Sequence, residues 1–139
     1  MAYCLDASVV LNWLLPQRST QAVHEFIVDC LRKRERLLAP PLLFSESTSV
    51  LRRYVYNGAL LNDEAAAALR DLLALPLSTV HQPQVYLSAL RFAQILGHAK
   101  AYDVQYVAVA DNQRATLATC DSGMYHSALR LGVSAQLLA

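Results

Sequence analysis

Four carboxylates interrupt apolar stretches of this chain. Asp6 closes AYCL, Glu46 sits in LLFSES, Asp103 precedes VQYVAVA, and Asp121 follows TLATC. Most other acids (Glu25, Asp29, Glu35, Glu64 and Asp71) stand among basic or polar neighbours. An ionised carboxylate withdrawn from water without a partner costs several kcal/mol, so an acid so placed needs a cation. No Lys or Arg lies within two residues of any of the four, which points to a cation from outside the chain. Carboxylates gathered together cannot all stay ionised unless something neutralises them. Oxygen-only ligation suits a hard ion, Mg²⁺ or Mn²⁺, better than zinc. Such a site suits phosphodiester hydrolysis, in which bound metal acidifies a water and stabilises the leaving oxygen.

The elements that must position these acids follow from periodicity and punctuation. Strands are expected at Ala2–Leu5, Arg36–Ala39, Leu75–Val80, Thr116–Thr119 and Val133–Ala135. Helices are expected at Ala7–Leu15, from a Ser19 or Thr20 cap to Lys33, and at Leu42–Tyr56. Further helices are expected at Glu64–Ala74 behind an Asn62 or Asp63 cap, and at Gln84–Leu96, Ala101–Asn112 and Ser122–Leu131. Pro16, Pro40-Pro41, Asn57-Gly58, Pro83, Gly97 and Gly132 mark the boundaries. Strands alternate with helices and no hairpin signal joins strand to strand. That predicts a three-layer α/β/α sandwich on a short parallel sheet, as one domain over residues 1–139. Ligand sites in open parallel sheets form beyond the carboxyl ends of the strands. Asp6 and Asp121 fall at such ends, and Glu46 and Asp103 lie near helix starts on the same side.

Composition narrows the alternatives. With 55% hydrophobic and 17% charged residues, the chain has the make-up of a folded domain. A net charge of +1 makes no global case for binding polyanions, although Arg32, Lys33, Arg34 and Arg36 cluster, as do Arg52 and Arg53. The first cluster ends an expected helix, where cations complement the helix dipole; phosphate contact is the other reading. Three cysteines without C-x-x-C spacing argue against a disulfide framework or zinc ribbon. His24, His81, His98 and His126 lack metal-binding spacing and are expected to be structural or surface residues. No Gly-rich phosphate loop or G-x-S-x-G is present. Without a leader pattern or an apolar run of membrane-spanning length, a cytoplasmic location and no membrane partner are expected.

Four segments together resemble the PIN-domain ribonucleases, and among them the VapC-type toxins of toxin–antitoxin pairs. They are LDASVVLNWLLP at Leu5–Pro16, PPLLFSESTSVLRR at Pro40–Arg53, AYDVQYVAVA at Ala101–Ala110 and LATCDSGMY at Leu117–Tyr125. The resemblance implies metal-binding and catalytic roles for Asp6, Glu46, Asp103 and Asp121. It also implies a supporting hydrogen-bonding role for Ser8, with a similar role open to Thr119. A strand order of 3-2-1-4-5, Mg²⁺- or Mn²⁺-dependent endonuclease action on RNA, homodimerisation and inhibition by a cognate antitoxin are implied likewise. Ser122-Gly123-Met124 departs from many relatives, which carry a charge after the last acid.

Two other readings stay open at this point. The acidic pocket serves chiefly to dock a basic side chain of a partner, or the nuclease acts on DNA or structured nucleic acid. Tyr54, Tyr56, Leu60 and Leu61 are candidates for a two-fold contact, with ordinary core packing as the competing role.

Overall fold

The computed structural model describes residues 1–138. In chain order the elements are β1 (Ala2–Leu5), α1 (Ala7–Leu14), α2 (Gln21–Arg32), β2 (Arg36–Ala39), α3 (Leu42–Tyr56), α4 (Asn62–Ala74) and β3 (Leu77–Thr79). They continue with α5 (Pro83–Leu96), α6 (Val104–Asn112), β4 (Thr116–Thr119), α7 (Ser122–Arg130) and β5 (Ala135–Leu137). All strand pairs are parallel, in the order β3-β2-β1-β4-β5 that the family resemblance implies, with helices completing the α/β/α layers.

β1 lies at the centre, where Cys4 stands beside Leu38 of β2 and Leu117 of β4. A strand covered on both faces needs continuous apolar sequence rather than alternation. Cys4, Leu5, Leu38, Leu117 and Ala118 are accordingly fully buried. Helix α6 is apolar almost all round, because it lies over β1, β2 and β4 and packs against α5. Tyr106 and Val107–Ala110 are all buried. A smaller core of Leu11, Leu15, Leu51 and Ala68 joins α1, α3 and α4.

Several boundaries depart from expectation, each for a backbone reason. β3 begins at Leu77 rather than Leu75, since Pro76 has no N–H to donate and the Leu77 N–H turns back to Leu75 O. β5 starts at Ala135 rather than Val133, because the Val133 N–H closes the end of α7 on Ala128 O. Helix α4 starts at Asn62 without an Asn or Asp cap. The Glu64 carboxylate accepts from the Leu61 N–H at 2.8 Å and so satisfies an orphan donor. Helix α6 starts at Val104, later than Ala101, after a turn in which the Gln105 and Tyr106 amides reach Tyr102 and Asp103 carbonyls.

Candidate active site

Asp6 is the best-held of the four acids. It follows the last residue of β1, and its N–H donates to Ala118 O on β4. Its side chain caps α1, with Oδ1 accepting from the Val9 N–H at 3.1 Å and from Ser8 Oγ at 2.6 Å. The Thr119 hydroxyl donates to Oδ2. Both hydroxyls are themselves anchored: Ser8 Oγ accepts from the Cys120 N–H at 2.9 Å, and Thr119 Oγ1 from the Asp121 N–H at 3.0 Å. The carboxylate is therefore clamped between the ends of two adjacent strands. At 2% exposure its ionised form is poorly solvated. Burial pushes its pKa up, the three hydrogen bonds oppose that, and Asp121 nearby adds to the rise.

Glu46 enters from the second turn of α3 and is half buried. Its Oε1 is sheltered from water and has no hydrogen-bond partner. Burial raises its pKa first, then the charges of Asp103 and Asp6, while proximity to Tyr106 works the other way. That proximity falls short of a normal hydrogen bond, for the Tyr106 hydroxyl is also buried without a partner. Asp103 precedes α6, and its side chain makes no capping hydrogen bond, so the bland role for an acid at a helix start does not apply to it. Asp121 does cap α7, accepting from the Met124 N–H at 3.2 Å through Oδ1. Asp103 and Asp121 are both exposed. The desolvation argument that singled out four acids thus holds for Asp6 and Glu46 only.

All four acids and Ser8 line one cleft of about 250 Å³ at the carboxyl edge of the sheet. Among the described residues no ion pair reaches them: the ion pairs join Met1 to Glu35, and Arg32 and Lys33 to Asp29. Nor do any three His, Cys, Asp or Glu side chains among those residues close around a single bare ion. The acids face an open cleft instead. That suits Mg²⁺, which keeps several waters and takes one or two carboxylates together with substrate phosphates. The all-oxygen donor set and the unpartnered Glu46 Oε1 fit a hydrated divalent ion.

Three side chains at this cleft escaped sequence reasoning in whole or part. Arg18, from the turn after α1, lines it and donates to Tyr54 Oη at 3.3 Å. Arg53, one residue of the Arg52-Arg53 pair, also lines it. Cations therefore flank the acids without pairing to them: Arg18 comes from a separate turn, whereas Arg53 stands two turns beyond Glu46 on the same face of α3. Tyr106 is the third. In the sequence it is one more apolar-face residue of α6, and only the fold brings its hydroxyl towards Glu46. The Arg32–Arg36 cluster lies apart. It joins the end of α2 to the start of β2, at the opposite edge of the sheet. The thiols of Cys4, Cys30 and Cys120 are free, and burial raises all three pKa values, Cys30 to about 11. That leaves them little thiolate character.

A five-stranded parallel sheet with an acid-lined cleft beyond its carboxyl edge defines the class: an α/β protein with a site suited to hard cations. The PIN domain family model matches residues 3–128, and the chain belongs to that family. Its fold is similar to that of a chain in the VapBC2 complex of Rickettsia felis, solved bound to a promoter DNA fragment. There the TM-score is 0.75 at 11% identity, covering 100% of both chains. VapBC-1 from nontypeable Haemophilus influenzae gives 0.68 at 16% identity, over 99% of this chain and 98% of the other. FitAcB from Neisseria gonorrhoeae gives 0.58 at 19%, over 96% and 95%. No curated protein sequence matches the chain. No helix among the described residues is long and apolar enough to cross a membrane.

Proposed function

We propose that this protein is a divalent-metal-dependent endoribonuclease acting as a single-domain VapC-type toxin restrained by a cognate antitoxin. The observation that carries the reading is the convergence of four carboxylates on one cleft, unpaired by any internal cation among the described residues and flanked by Arg18 and Arg53. Membership of the PIN family and the likeness of fold to VapBC and FitAcB chains support it.

Asp6, Asp103 and Asp121 would hold Mg²⁺ or Mn²⁺, with Glu46 completing the cluster. When bound, the metal would acidify water and neutralise charge on the leaving oxygen. The chain's own residues do the rest. Ser8, Thr119 and the Val9 amide use three of the roughly four acceptor positions of the Asp6 carboxylate, leaving the free one on Oδ2. Glu46, with its raised pKa and unpartnered oxygen, is suited to accept a proton from the attacking water. Arg18 and Arg53 would grip phosphate oxygens beside the scissile bond, which positions RNA without reading its sequence.

The test is cleavage of RNA by purified, partner-free protein with Mn²⁺, abolished by EDTA, and lost in Asp6→Asn and Asp103→Asn proteins that keep the wild-type circular dichroism. Wild-type rates in either variant would remove that residue from the site. Cleavage of flap DNA in preference to single-stranded RNA would reassign the substrate. Inactivity on all nucleic acids would leave the cleft as a dock for a partner's basic side chain.

Homodimerisation through α3 and α4 is part of the same proposal. Tyr54 and Leu60 pack on the small core, whereas Tyr56 and Leu61 are 79% and 70% exposed with no such role. A monomeric mass by light scattering would count against it.

A further inference from the structure

His98 and Ser127 take no part in the acidic cleft, yet both line a second cavity of about 250 Å³ that shares a wall with it. Asp103, Asp121 and Met124 border both spaces. Val104 and Val107 of α6, both buried, give the second cavity an apolar floor. His98 is not on a loose loop. Helix α5 ends with Gly97 at φ 72°, the His98 N–H donates to Ala93 O at 2.9 Å, and the Gly97 N–H to Gln94 O at 3.1 Å. That pair of bonds is a Schellman closure, which fixes where the imidazole starts. Among the described residues, neither the imidazole nor the Ser127 hydroxyl enters a side-chain hydrogen bond. Gly123 also lines the space, and a Cβ there would come within 3.1 Å of Asp121 Oδ1. A larger residue would crowd the carboxylate that divides the two cavities.

We propose that this cavity seats one nucleobase of the RNA strand, adjacent to the phosphate held in the acidic cleft, and that His98 and Ser127 read its edge. The inference rests on the nuclease reading above. The volume falls just below the ~300–1,000 Å³ of sites for drug-sized ligands, which suits a single heterocycle. The valines and Met124 offer an apolar surface to a base face. The imidazole nitrogens and the hydroxyl are hydrogen-bonding groups with no side-chain partner among the described residues, which is the inventory needed to distinguish base edges. Unstacked bases of single strands are read in this way. Because Asp103 and Asp121 belong to both walls, the second cavity adjoins the cleft assigned to the scissile phosphate. The Ser122-Gly123-Met124 departure then has a physical meaning, since Gly123 and Met124 line this cavity.

The experiment is cleavage of a randomised single-stranded RNA pool with Mn²⁺, followed by sequencing of the product ends. Wild type should show a base preference at one position flanking the cut. His98→Ala and Ser127→Ala should each weaken that preference, His98→Ala by about tenfold. Cutting with no flanking preference in wild type, or with the same preference in both variants, overturns the base subsite and leaves the nuclease reading standing. A second arm needs no catalysis. Nucleoside 5′-monophosphates, with ribose 5-phosphate as control, are titrated into metal-free protein while the Met124 methyl and His98 ring resonances are followed. Base-dependent shifts support the subsite even if RNA is not cut, which would mark failure of the nuclease reading instead. Equal shifts with ribose 5-phosphate overturn it. Variants that weaken antitoxin binding while leaving base preference intact would assign the cavity to the protein partner and overturn it also.

Discussion

Replacing Glu46 by Gln separates a charge held for a cation from one held for packing. Gln is nearly isosteric, so the change removes charge with little change of volume. In metal-free protein at neutral pH, Glu46 is an unpartnered carboxylate whose ionisation is opposed by burial and by the charges of Asp103 and Asp6. Because the group is only half buried, solvent screening limits the repulsion relieved to about 1 kcal/mol. For a chain of this size that corresponds to a rise in Tm of about 3 °C. Metal should reverse the order. An ion at about tenfold excess over its Kd stabilises the native state by RT ln 11, about 1.4 kcal/mol, or about 4 °C. Glu46→Gln should gain markedly less, since the cluster has lost a charge. Differential scanning fluorimetry with Mn²⁺ or Mg²⁺, against NaCl at matched ionic strength, reads both effects. The reasoning fails if wild type is indifferent to both ions, or if Glu46→Gln is the less stable protein in their absence.

The pH dependence has a definite sign. Asp6 and Glu46 both have raised pKa values, so the native state binds protons more tightly than the unfolded chain. Their contribution to metal-free stability is fully present below the ordinary carboxylate range, and is lost as pH rises from about 4 through the raised values. Denaturant titrations across that window should show this fall, and saturating Mn²⁺ should flatten it. Thr119→Val, close to isosteric, leaves Asp6 Oδ2 and the Asp121 N–H without their shared partner. About 1–3 kcal/mol of stability should be lost by urea denaturation, and the acidic limb of the pH–rate profile should move up. Arg18→Ala should raise KM by about tenfold with little effect on protein stability, and make RNA binding less dependent on salt; an unchanged salt slope would show that Arg18 does not meet phosphate.

The parallel α/β pattern and most helices were legible because burial on both faces leaves apolar runs, and Pro and Gly stop them; the strand order came only from the family resemblance. The ends of α3 emerged at Leu42 and Tyr56, as read from Pro40-Pro41 and Asn57-Gly58. Where backbone groups are satisfied non-locally, the reading slipped. Val133 looked like strand but closes α7, and Leu75-Pro76 looked like strand but lies beyond an edge that Pro cannot extend. The site was legible one residue at a time. Asp6 and Glu46 announced themselves as acids in apolar surroundings; Asp103 and Asp121 lay in similar sequence yet are exposed. Arg18 and His98 carried no local signal at all. Their relation to the acids is created by chain reversals after α1 and α5, which sequence spacing does not encode.

The hydroxyl clamp on Asp6 explains why the cleft can stay open to ligands. An Arg in place of Ser8 and Thr119 would hold the carboxylate equally well, but would cancel its charge and compete with any incoming cation. Neutral donors orient the group, oppose the rise in its pKa and leave its charge unspent. The cost appears as the remaining upward shift, which a protein selected only for stability would remove. A double substitution distinguishes the two purposes. Ser8→Ala with Thr119→Val should lose more metal-induced stabilisation than the two single changes summed, because each hydroxyl still steers the carboxylate when the other is gone. Simple additivity in that cycle would mean that the hydroxyls fasten the strand ends together and do not aim Asp6.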